Sequence, residues 1–533
     1  MNVQVSPIDI GILVGYLALS RIIPLWINRN RTESSDGFFL GGRSFTWPLI
    51  GFSLFATNMS GSTFVGLASA GYKQGLSVYA YEFMAALILV FFVFFMLPFY
   101  LKTGVYTMPE FLERRYGKGS RKLFSGLLIF FHTFVDAAGA LYAGALVGRL
   151  LFPELDLVWF VLALAALSGL MSIVGGLGAV VISDTIQAIV LIIGGVIIFF
   201  AAQEAVSAAY GAPAMDVLRE QLTGDTLHII RPADDPNLPW PGLLTGLIII
   251  GIYYWTTNQS MVQRTLGAKN IDQGRWGALF AGLLKLPILW LMIFPGVFAI
   301  LLFPDLSNPD DAFPRLMAEL LPVGIKGVMM AALVAAITSS VDSIMNSAGT
   351  LVTMDFVRPA YPNMPEARVV RIGRWSTSIV MLLAIAWAPM ITMFPSLWDY
   401  LQAVLSYMAP PIVVLFLTGI FWQGASQRAA NLTLSVGLAG GLIGFVSGEI
   451  YDAFSLHFLY AALVSFVVSG VLLVVLSHVW PDRSGKDAPE LIWTKSVWRD
   501  ESAALVGVAW WKNYRLQALF LVVLTLSIVY YYR

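Results

Sequence analysis

Cysteine is absent from the 533 residues of this chain. Its absence excludes disulfide bonds, thiolate metal sites and cysteine nucleophiles. Charge is scarce as well, because Asp, Glu, Lys and Arg together make up 12% of the residues, about half of the share that is usual in soluble globular proteins. The net charge is zero and no basic tract is present, so nothing in the chain indicates a nucleic-acid partner. A soluble globular class is therefore disfavoured.

Apolar residues are abundant instead, at 58% of the chain, with a mean hydropathy of +0.76. Apolar runs recur from end to end, near the length of about 20 residues that a helix needs to cross a bilayer. We therefore predict an all-α polytopic membrane protein with about fourteen transmembrane helices. The first run lacks a basic n-region and a clear cleavage site, so it is a retained span. The predicted spans are 7–27, 47–71, 77–101, 123–151, 157–174, 180–202, 240–263, 277–303, 324–354, 373–394, 397–422, 429–446, 454–479 and 516–532.

Lysine and arginine are distributed unevenly between the loops. If the N-terminus lies outside, the inward loops hold most of the 32 basic residues, including LERRYGKGSRK at 112–122. Outward segments such as ADDPN at 233–237 and NPDDAF at 308–313 are acidic instead. The positive-inside rule predicts a multi-pass protein of the cell (plasma or inner) membrane with both termini outside. The inward segment 480–515 carries several tryptophans that could anchor an interfacial helix.

Two predicted spans are interrupted by polar residues at bilayer depth. The second contains FATNMSGSTFVG at 55–66, and the seventh contains YYWTTNQSMVQRT at 253–265. Five places separate the two spans, so they cross the membrane in opposite directions. Matching broken helices in inverted halves indicate the binding site of a secondary transporter, because freed backbone groups are tolerated only where they line a cavity or coordinate a ligand. The alternative is that these small residues let helices pack closely.

The ninth span carries a polar stripe. Ser339, Asp342, Ser343 and Asn346 recur at helical spacing and share one face, with Ser340 beside them. Hydroxyl and carbonyl oxygens suit a small cation such as sodium, although they could equally form hydrogen bonds between helices. The carboxylate of Asp342 favours a functional role, because an ionisable group within a span is costly.

Few other charges lie within the predicted spans, and four acids face one base. The five residues are Glu82, Asp136, Asp184, Lys285 and Asp342. We expect a cation or a proton to balance the excess, and we expect Asp184 and Asp342 to draw that cation towards the cytosol. Alternatively, Glu82 or Asp136 neutralises Lys285 as a structural pair.

Five motifs, in this order, resemble the sodium/solute symporter family, and most closely its sodium/sugar (glucose/galactose) branch. They are FATNMSGSTFVGLASAGY (55–72), YEFM (81–84), GVYTMPEFLERRYG (104–117), YYWTTNQSMVQRTLGAK (253–269) and SSVDSIMNSAGTLVTMD (339–355). The resemblance implies a leucine-transporter-like core of two inverted five-helix repeats, 47–202 and 240–422. The remaining segments would be an extra helix with its inward loop at 1–46, an outward loop at 203–239, and three C-terminal helices at 423–533 that include the inward loop 480–515.

The resemblance also implies cation sites. The principal sodium site would use the carbonyls of Ala56, Met59 and Ala336 and the hydroxyls of Ser339 and Ser340. A second cation site, or an exit path, would involve Asp184, Asp342 and Ser343 together with Ser339. Asp342 replaces the small polar residue that the family usually has there, which leaves open whether a second sodium or a proton binds.

For the substrate, the resemblance implies a set of polar and aromatic side chains. The set comprises Asn58, Thr63, Glu82, Asp136, Lys285 and Gln402, with Tyr254 as the inner gate and Trp255 as a stacking surface. Thr63, Ala85 and Asp136 depart from the pattern of some sugar transporters. The solute could therefore be a hexose or an inositol.

We thus expect a sodium-coupled symporter that imports a sugar or polyol by alternating access, with Na⁺ as the coupling ion and no organic cofactor. The expected partners are this small molecule and membrane lipid, with no nucleic acid and no obligatory protein partner. The alternatives are another small organic solute (an amine, a carboxylate, a nucleoside-like compound or inositol) or a sensor that binds sodium and sugar without transport. An enzyme is disfavoured because the chain has no nucleophile elbow and no phosphate-binding glycine loop, and its four histidines are scattered.

Overall fold

The computed structural model describes residues 6–30, 32–59, 61–151, 154–222, 224–306, 308–393, 397–451, 456–482 and 488–533. The chain is helical nearly throughout these ranges, which contain no strand beyond two isolated bridges, Phe45–Ala268 and Arg231–Pro239. The all-α prediction is therefore confirmed. Ser60, in the middle of the first interruption, lies outside the described residues.

The first half of the chain forms eleven labelled α-helices among the described residues. They are α1 Pro7–Asn28, α2 Ser35–Leu40, α3 Trp47–Asn58, α4 Gly61–Gln74, α5 Ala80–Phe95, α6 Leu97–Thr103, α7 Met108–Tyr116, α8 Lys118–Phe130, α9 Ala138–Leu151, α10 Leu157–Gly169 and α11 Gly176–Tyr210. The 3₁₀ turns here are Gly41–Arg43 and Gly75–Tyr79, and the π-helical turns are Phe131–Ala137 and Leu170–Gly175.

The second half continues the same numbering. Its α-helices are α12 Ala214–Gln221, α13 Trp240–Leu243, α14 Gly246–Ile252, α15 Gln259–Leu266, α16 Ile271–Lys285, α17 Phe294–Leu302, α18 Ala312–Leu320, α19 Ile325–Leu351, α20 Arg358–Ala360, α21 Glu366–Trp387, α22 Leu397–Phe421, α23 Gln427–Phe445, α24 Phe458–Val479, α25 Lys495–Ala504 and α26 Tyr514–Tyr531. The π-helical turns are Tyr253–Thr257, Leu289–Ile293, Val352–Val357 and Val446–Ile450, and the 3₁₀ turns are Gly224–Leu227, Pro309–Asp311, Ala388–Met393, Pro489–Leu491 and Trp510–Lys512.

Within the described residues, eleven helical stretches are long and apolar enough to cross a membrane. The eleven stretches are three fewer than the fourteen predicted spans, because two pairs of predicted spans are joined and one span is not among the stretches. The second and third join through a turn at Gly75, the fifth and sixth join at Gly176, and the seventh is broken into short helices. The joined stretch Leu157–Tyr210 has 54 residues and would measure about 80 Å if straight, against a hydrocarbon core of about 30 Å. A polytopic membrane protein is confirmed, and the number fourteen stays a prediction.

Both predicted interruptions are confirmed as breaks in the helices. α3 ends at Asn58, because Met59 leaves the helical region with φ −84° and ψ 73°. In the second break, a π-helical turn is followed by Asn258 in an extended conformation, with φ −70° and ψ 126°. The side chain of Asn258 accepts a hydrogen bond from the backbone N–H of Ser260 at 2.9 Å and so caps α15.

α19 lies at the centre of the molecule, and residues on every side of it are buried. A helix that is buried all round belongs to the interior of a bundle. α1, α3, α10, α11 and α21 pack against it. α19 therefore brings the polar stripe into contact with the first break and with two neighbouring helices.

The outer helices present apolar side chains outward. On α24, the exposed residues are Val464, Val467, Val468, Val471 and Val475, and such a face is suited to lipid. The predicted interfacial helix in 480–515 corresponds to α25, which has no buried residue. Trp498 on α25 and the following Trp510 and Trp511 are exposed. Their position at the membrane interface stays a prediction.

Candidate functional site

A cavity of about 200 Å³ lies between the two broken helices. Side chains from α3, α5, α15, α19, α22 and the π-helical turn Phe131–Ala137 line it. Its volume is below the roughly 300–1,000 Å³ of sites for drug-sized ligands, so it is suited to a small solute. All predicted substrate residues except Lys285 line this cavity: Asn58, Thr63, Glu82, Asp136, Tyr254, Trp255 and Gln402.

Lys285 lies directly behind the cavity wall and pairs with Glu82. Its Nζ atom is 2.7 Å from Oε2 of Glu82, and the two side chains are 1% and 6% exposed. The ammonium group also donates to the side-chain oxygen of Asn58 and lies 3.3 Å from the sulfur of Met59. The pair therefore joins α5 and α16 to the first break, and it carries no net charge.

Asp136 is the carboxylate most open to the cavity. Its side chain is 31% exposed, and its Oδ2 atom is 2.8 Å from Nδ1 of the buried His132, one helical turn away. Among the described residues, no lysine or arginine forms an ion pair with Asp136. His132 thus packs as a polar neighbour of Asp136, and the carboxylate remains available for hydrogen bonds from a solute.

Two aromatic rings cover another part of the wall. Tyr254 and Trp255 lie in the π-helical turn of the second break, with ring centroids 5.5 Å apart at 78°. The ring of Trp255 also lies 5.5 Å from Nζ of Lys285. The cavity therefore combines an apolar aromatic surface with carboxylate and amide groups.

The end of α3 contacts α19 at two of the predicted sodium ligands, Ala336 and Ser340. Ala56, Met59 and Ala336 are fully buried, as is Ser339. The hydroxyl of Ser340 lies 3.1 Å from the carbonyl oxygen of Thr57 and 3.2 Å from that of Ala336, with both oxygens as acceptors. A helix that ends leaves the carbonyls of its last turn without intrahelical partners. Carbonyl and hydroxyl oxygens are the ligands that a hard cation prefers, so this contact suits Na⁺.

Asp184, from α11, lies next to this contact and is fully buried. Its Oδ1 accepts a hydrogen bond from Ser339 at 2.8 Å, and its Oδ2 accepts one from Ser53 at 2.5 Å. Arg264, immediately after the second break, lies 3.5 Å from Oδ2 of Asp184 and also donates to Ser343. Both Arg264 and Asp184 have fully buried side chains.

Asp342 forms a separate ion pair with Arg21. Nη1 of Arg21, on α1, lies 2.7 Å from Oδ2 of Asp342, with side-chain exposures of 4% and 0%. The same nitrogen donates to the hydroxyl of Ser183 at 3.2 Å. α1 lies outside the predicted ten-helix core, yet through Arg21 it reaches the polar stripe.

These two pairs correct the charge balance inferred from the sequence. The expectation of four acids against a single base is wrong, because Arg21 and Arg264 are buried cations as well. Arg21 lies within the predicted span 7–27 but is not among the five residues of that balance, and Arg264 lies one residue beyond the predicted span 240–263. The available signal was position: Arg21 interrupts an apolar run, and Arg264 follows the second break within one short helix.

The chain is similar in sequence to known transport proteins. The sequence pattern of the family "SSF: Sodium:solute symporter family" matches residues 38–444. The chain is 35% identical to "Sodium/myo-inositol cotransporter 2" of Sus scrofa, over 89% of this chain and 76% of that protein. It is 31% identical to "Sodium/glucose cotransporter 4" of Danio rerio, over 95% of this chain and 87% of that protein.

A solved structure shares the fold. It is the "Substrate-bound outward-open state of a Na+-coupled sialic acid symporter", with a TM-score of 0.78 at 22% identity, covering 89% of this chain and 98% of that chain. The likeness confirms the predicted leucine-transporter-like architecture. With the family match over residues 38–444, it follows that this integral membrane protein is a member of the sodium:solute symporter family, with Na⁺ as its coupling ion.

Proposed function

We propose that this protein imports a small sugar or polyol, such as myo-inositol or a hexose, together with Na⁺. One observation carries the proposal: the first break contributes both to the cavity and to the contact proposed to bind sodium. The side chain of Asn58 lines the cavity, while the neighbouring carbonyl of Thr57 lies 3.1 Å from the Ser340 hydroxyl at the sodium contact. An ion that fixes this short segment therefore also fixes the cavity wall.

The chemistry of the cavity supports an uncharged, polyhydroxylated solute. Because Lys285 neutralises Glu82 from behind the cavity wall, Glu82 provides an acceptor at the cavity without favouring a charged ligand. Asp136 and Gln402 add further polar groups, and Trp255 adds a flat apolar surface. The relatives named for myo-inositol and glucose agree with this class of solute.

The proposed mechanism is alternating access. Sodium binds between the end of α3 and α19, using Ala56, Met59, Ala336, Ser339 and Ser340, and holds Asn58 in the conformation that binds solute. The two repeats then rock, sodium leaves past Asp184, and Tyr254 moves to release the solute. Sodium drives this cycle only if it binds the outward state more tightly than the inward state. With both termini outside, as proposed from the loop charges, α19 runs inward and its Asp342 end faces the cytosol.

A second candidate solute is a small amine. The observation that favours it is the exposed carboxylate of Asp136, which no lysine or arginine neutralises among the described residues. A carboxylate solute is disfavoured for the same reason, since Asp136 would repel it.

Uptake into proteoliposomes tests the proposal. The full chain is reconstituted, and entry of labelled myo-inositol, glucose and galactose is measured with Na⁺ or K⁺ outside. We expect accumulation above equilibrium with Na⁺ only. Choline as a competitor distinguishes the two candidates, because it should block uptake only if the cavity takes an amine. If folded protein accumulates none of these sugars or polyols and choline itself enters with Na⁺, the amine candidate replaces the polyol.

A further inference from the structure

The ion pair between Arg21 and Asp342 has no place in the mechanism described so far. It joins α1, at the edge of the molecule, to the polar stripe of the central α19, across 321 positions of sequence. Burying a guanidinium beneath a lipid-facing helix is expensive unless a carboxylate compensates for it. The pair is therefore a specific feature that must act on the groups around Asp342.

The groups around Asp342 are Asp184, Ser339 and Ser343, which together with Asp342 are expected to bind a second cation. The hydroxyl of Ser339 donates to Asp184 at 2.8 Å, and that of Ser343 donates to the carbonyl of Ser339 at 2.7 Å. Arg264 occupies the other side of both Asp184 and Ser343. Ser339, Ser343, Asp184 and Oδ2 of Asp342 thus each already have a protein partner.

The charges in this cluster also balance. Two carboxylates, Asp184 and Asp342, face two guanidinium groups, Arg264 and Arg21, and all four side chains are buried. A sodium ion added to this set would bring an uncompensated positive charge among buried side chains, which is strongly unfavourable. The cluster therefore does not fit a second cation while Arg21 is in place.

We propose that Arg21 is a tethered substitute for the second coupling cation, so that this transporter binds and carries one Na⁺ per solute. The inference rests on the proposed sodium-coupled transport and specifies its stoichiometry. Because Arg21 is part of the chain and is not carried across the membrane, it neutralises Asp342 without drawing energy from the sodium gradient. Oδ1 of Asp342 is buried without a hydrogen-bond partner in the described structure, which leaves an oxygen able to bind Na⁺ once the guanidinium is removed.

Counting bound sodium tests this inference without knowledge of the solute. Equilibrium binding of ²²Na⁺ to the purified full chain in detergent gives the number of ions per protein. We expect one for the wild type and for Arg21→Lys, which keeps the charge. We expect two for Arg21→Ala, with the second ion binding more weakly. The double variant Arg21→Ala/Asp342→Ser should return to one, and it keeps the test valid if the single variant does not fold, because it leaves no unpaired charge.

The outcomes separate the inference from the function on which it rests. Two ions bound by the wild type would overturn the tethered-cation role and leave sodium-coupled transport intact. Folded Arg21→Ala that still binds one ion would overturn it as well. A wild type that binds no sodium would instead refute the proposed sodium coupling.

Accumulation provides an independent measure. With a tenfold sodium gradient, no membrane potential and myo-inositol as the probe, one-to-one coupling limits accumulation to about tenfold and two-to-one coupling to about a hundredfold, because each ion contributes the free energy of its own gradient. We expect the wild type to stop near the lower limit. A plateau well above it would contradict the inference.

Discussion

The two helix breaks occupy equivalent places in the inverted repeats, but they are completed in different ways. At the first, a hydroxyl from another helix, that of Ser340, donates a hydrogen bond to the carbonyl of Thr57. At the second, Asn258 caps the following helix with its own side chain, which accepts from both the backbone and the hydroxyl of Ser260. The first break is open to a ligand between helices, whereas the second is completed locally. Inverted symmetry thus places two breaks, and their side chains complete the backbone in different ways.

The largest effect is expected from Lys285→Met, which removes the ammonium group that holds the first break through Asn58. Glu82 would remain buried without its partner, at a cost of about 3–5 kcal/mol in the free energy of unfolding. We expect a lower melting temperature and no uptake. The double variant Glu82→Gln/Lys285→Met should recover most of the melting temperature and still fail to transport. A single variant that melts like the wild type would contradict the importance of this pair.

Ser340→Ala removes a proposed sodium ligand from the first break. We expect Na⁺ affinity, and through it solute affinity, to fall by about 5- to 150-fold, the usual range of coupling between two sites. Titration of uptake with Na⁺ measures the change. Ser347→Ala is the matched control, since that buried serine lies two turns further along α19 and bonds to Gln263. Unchanged sodium dependence in Ser340→Ala would refute the sodium site.

Asp136→Asn tests the open carboxylate of the cavity, which neither break contributes. The amide keeps a hydrogen bond to a polyol but loses the charge, so we expect myo-inositol affinity to weaken by about fivefold. Any competition by choline should disappear. The exposed Asp156, at the start of α10, provides a control as Asp156→Asn. A complete loss of polyol binding would show that the charge itself is required.

The smallest effect is expected at the second break. Asn258→Ala removes the cap of α15 and should lower stability by about 1 kcal/mol, while the number and affinity of bound ²²Na⁺ ions stay unchanged. Asn258→Ser should restore stability, because serine also caps helices. A loss of sodium binding in Asn258→Ala would remove the distinction drawn between the two breaks.

Local patterns predicted much of this site. Polar residues inside apolar runs located both breaks, and helical spacing located the stripe on α19, because membrane burial makes each such residue conspicuous. The pairing of charges was not predictable in this way. Arg21 and Asp342 are 321 positions apart and Arg264 and Asp184 are 80 apart, so only packing of the helices reveals which base neutralises which acid. The span count was limited similarly, since helical structure continues through the turns at Gly75 and Gly176.

The separation between Arg21 and Asp342 also sets an order of assembly. α1 is made first, and its arginine has no carboxylate partner until the chain has grown by 321 residues. At roughly 5–20 residues per second, that interval is about 15 to 65 s. During this time Arg21, in the C-terminal part of its helix, can reach the membrane surface with its long side chain. The docking of α1 onto α19 is therefore a late event in biogenesis. The ion pair forms only after the first repeat and the second repeat as far as α19 have been synthesised.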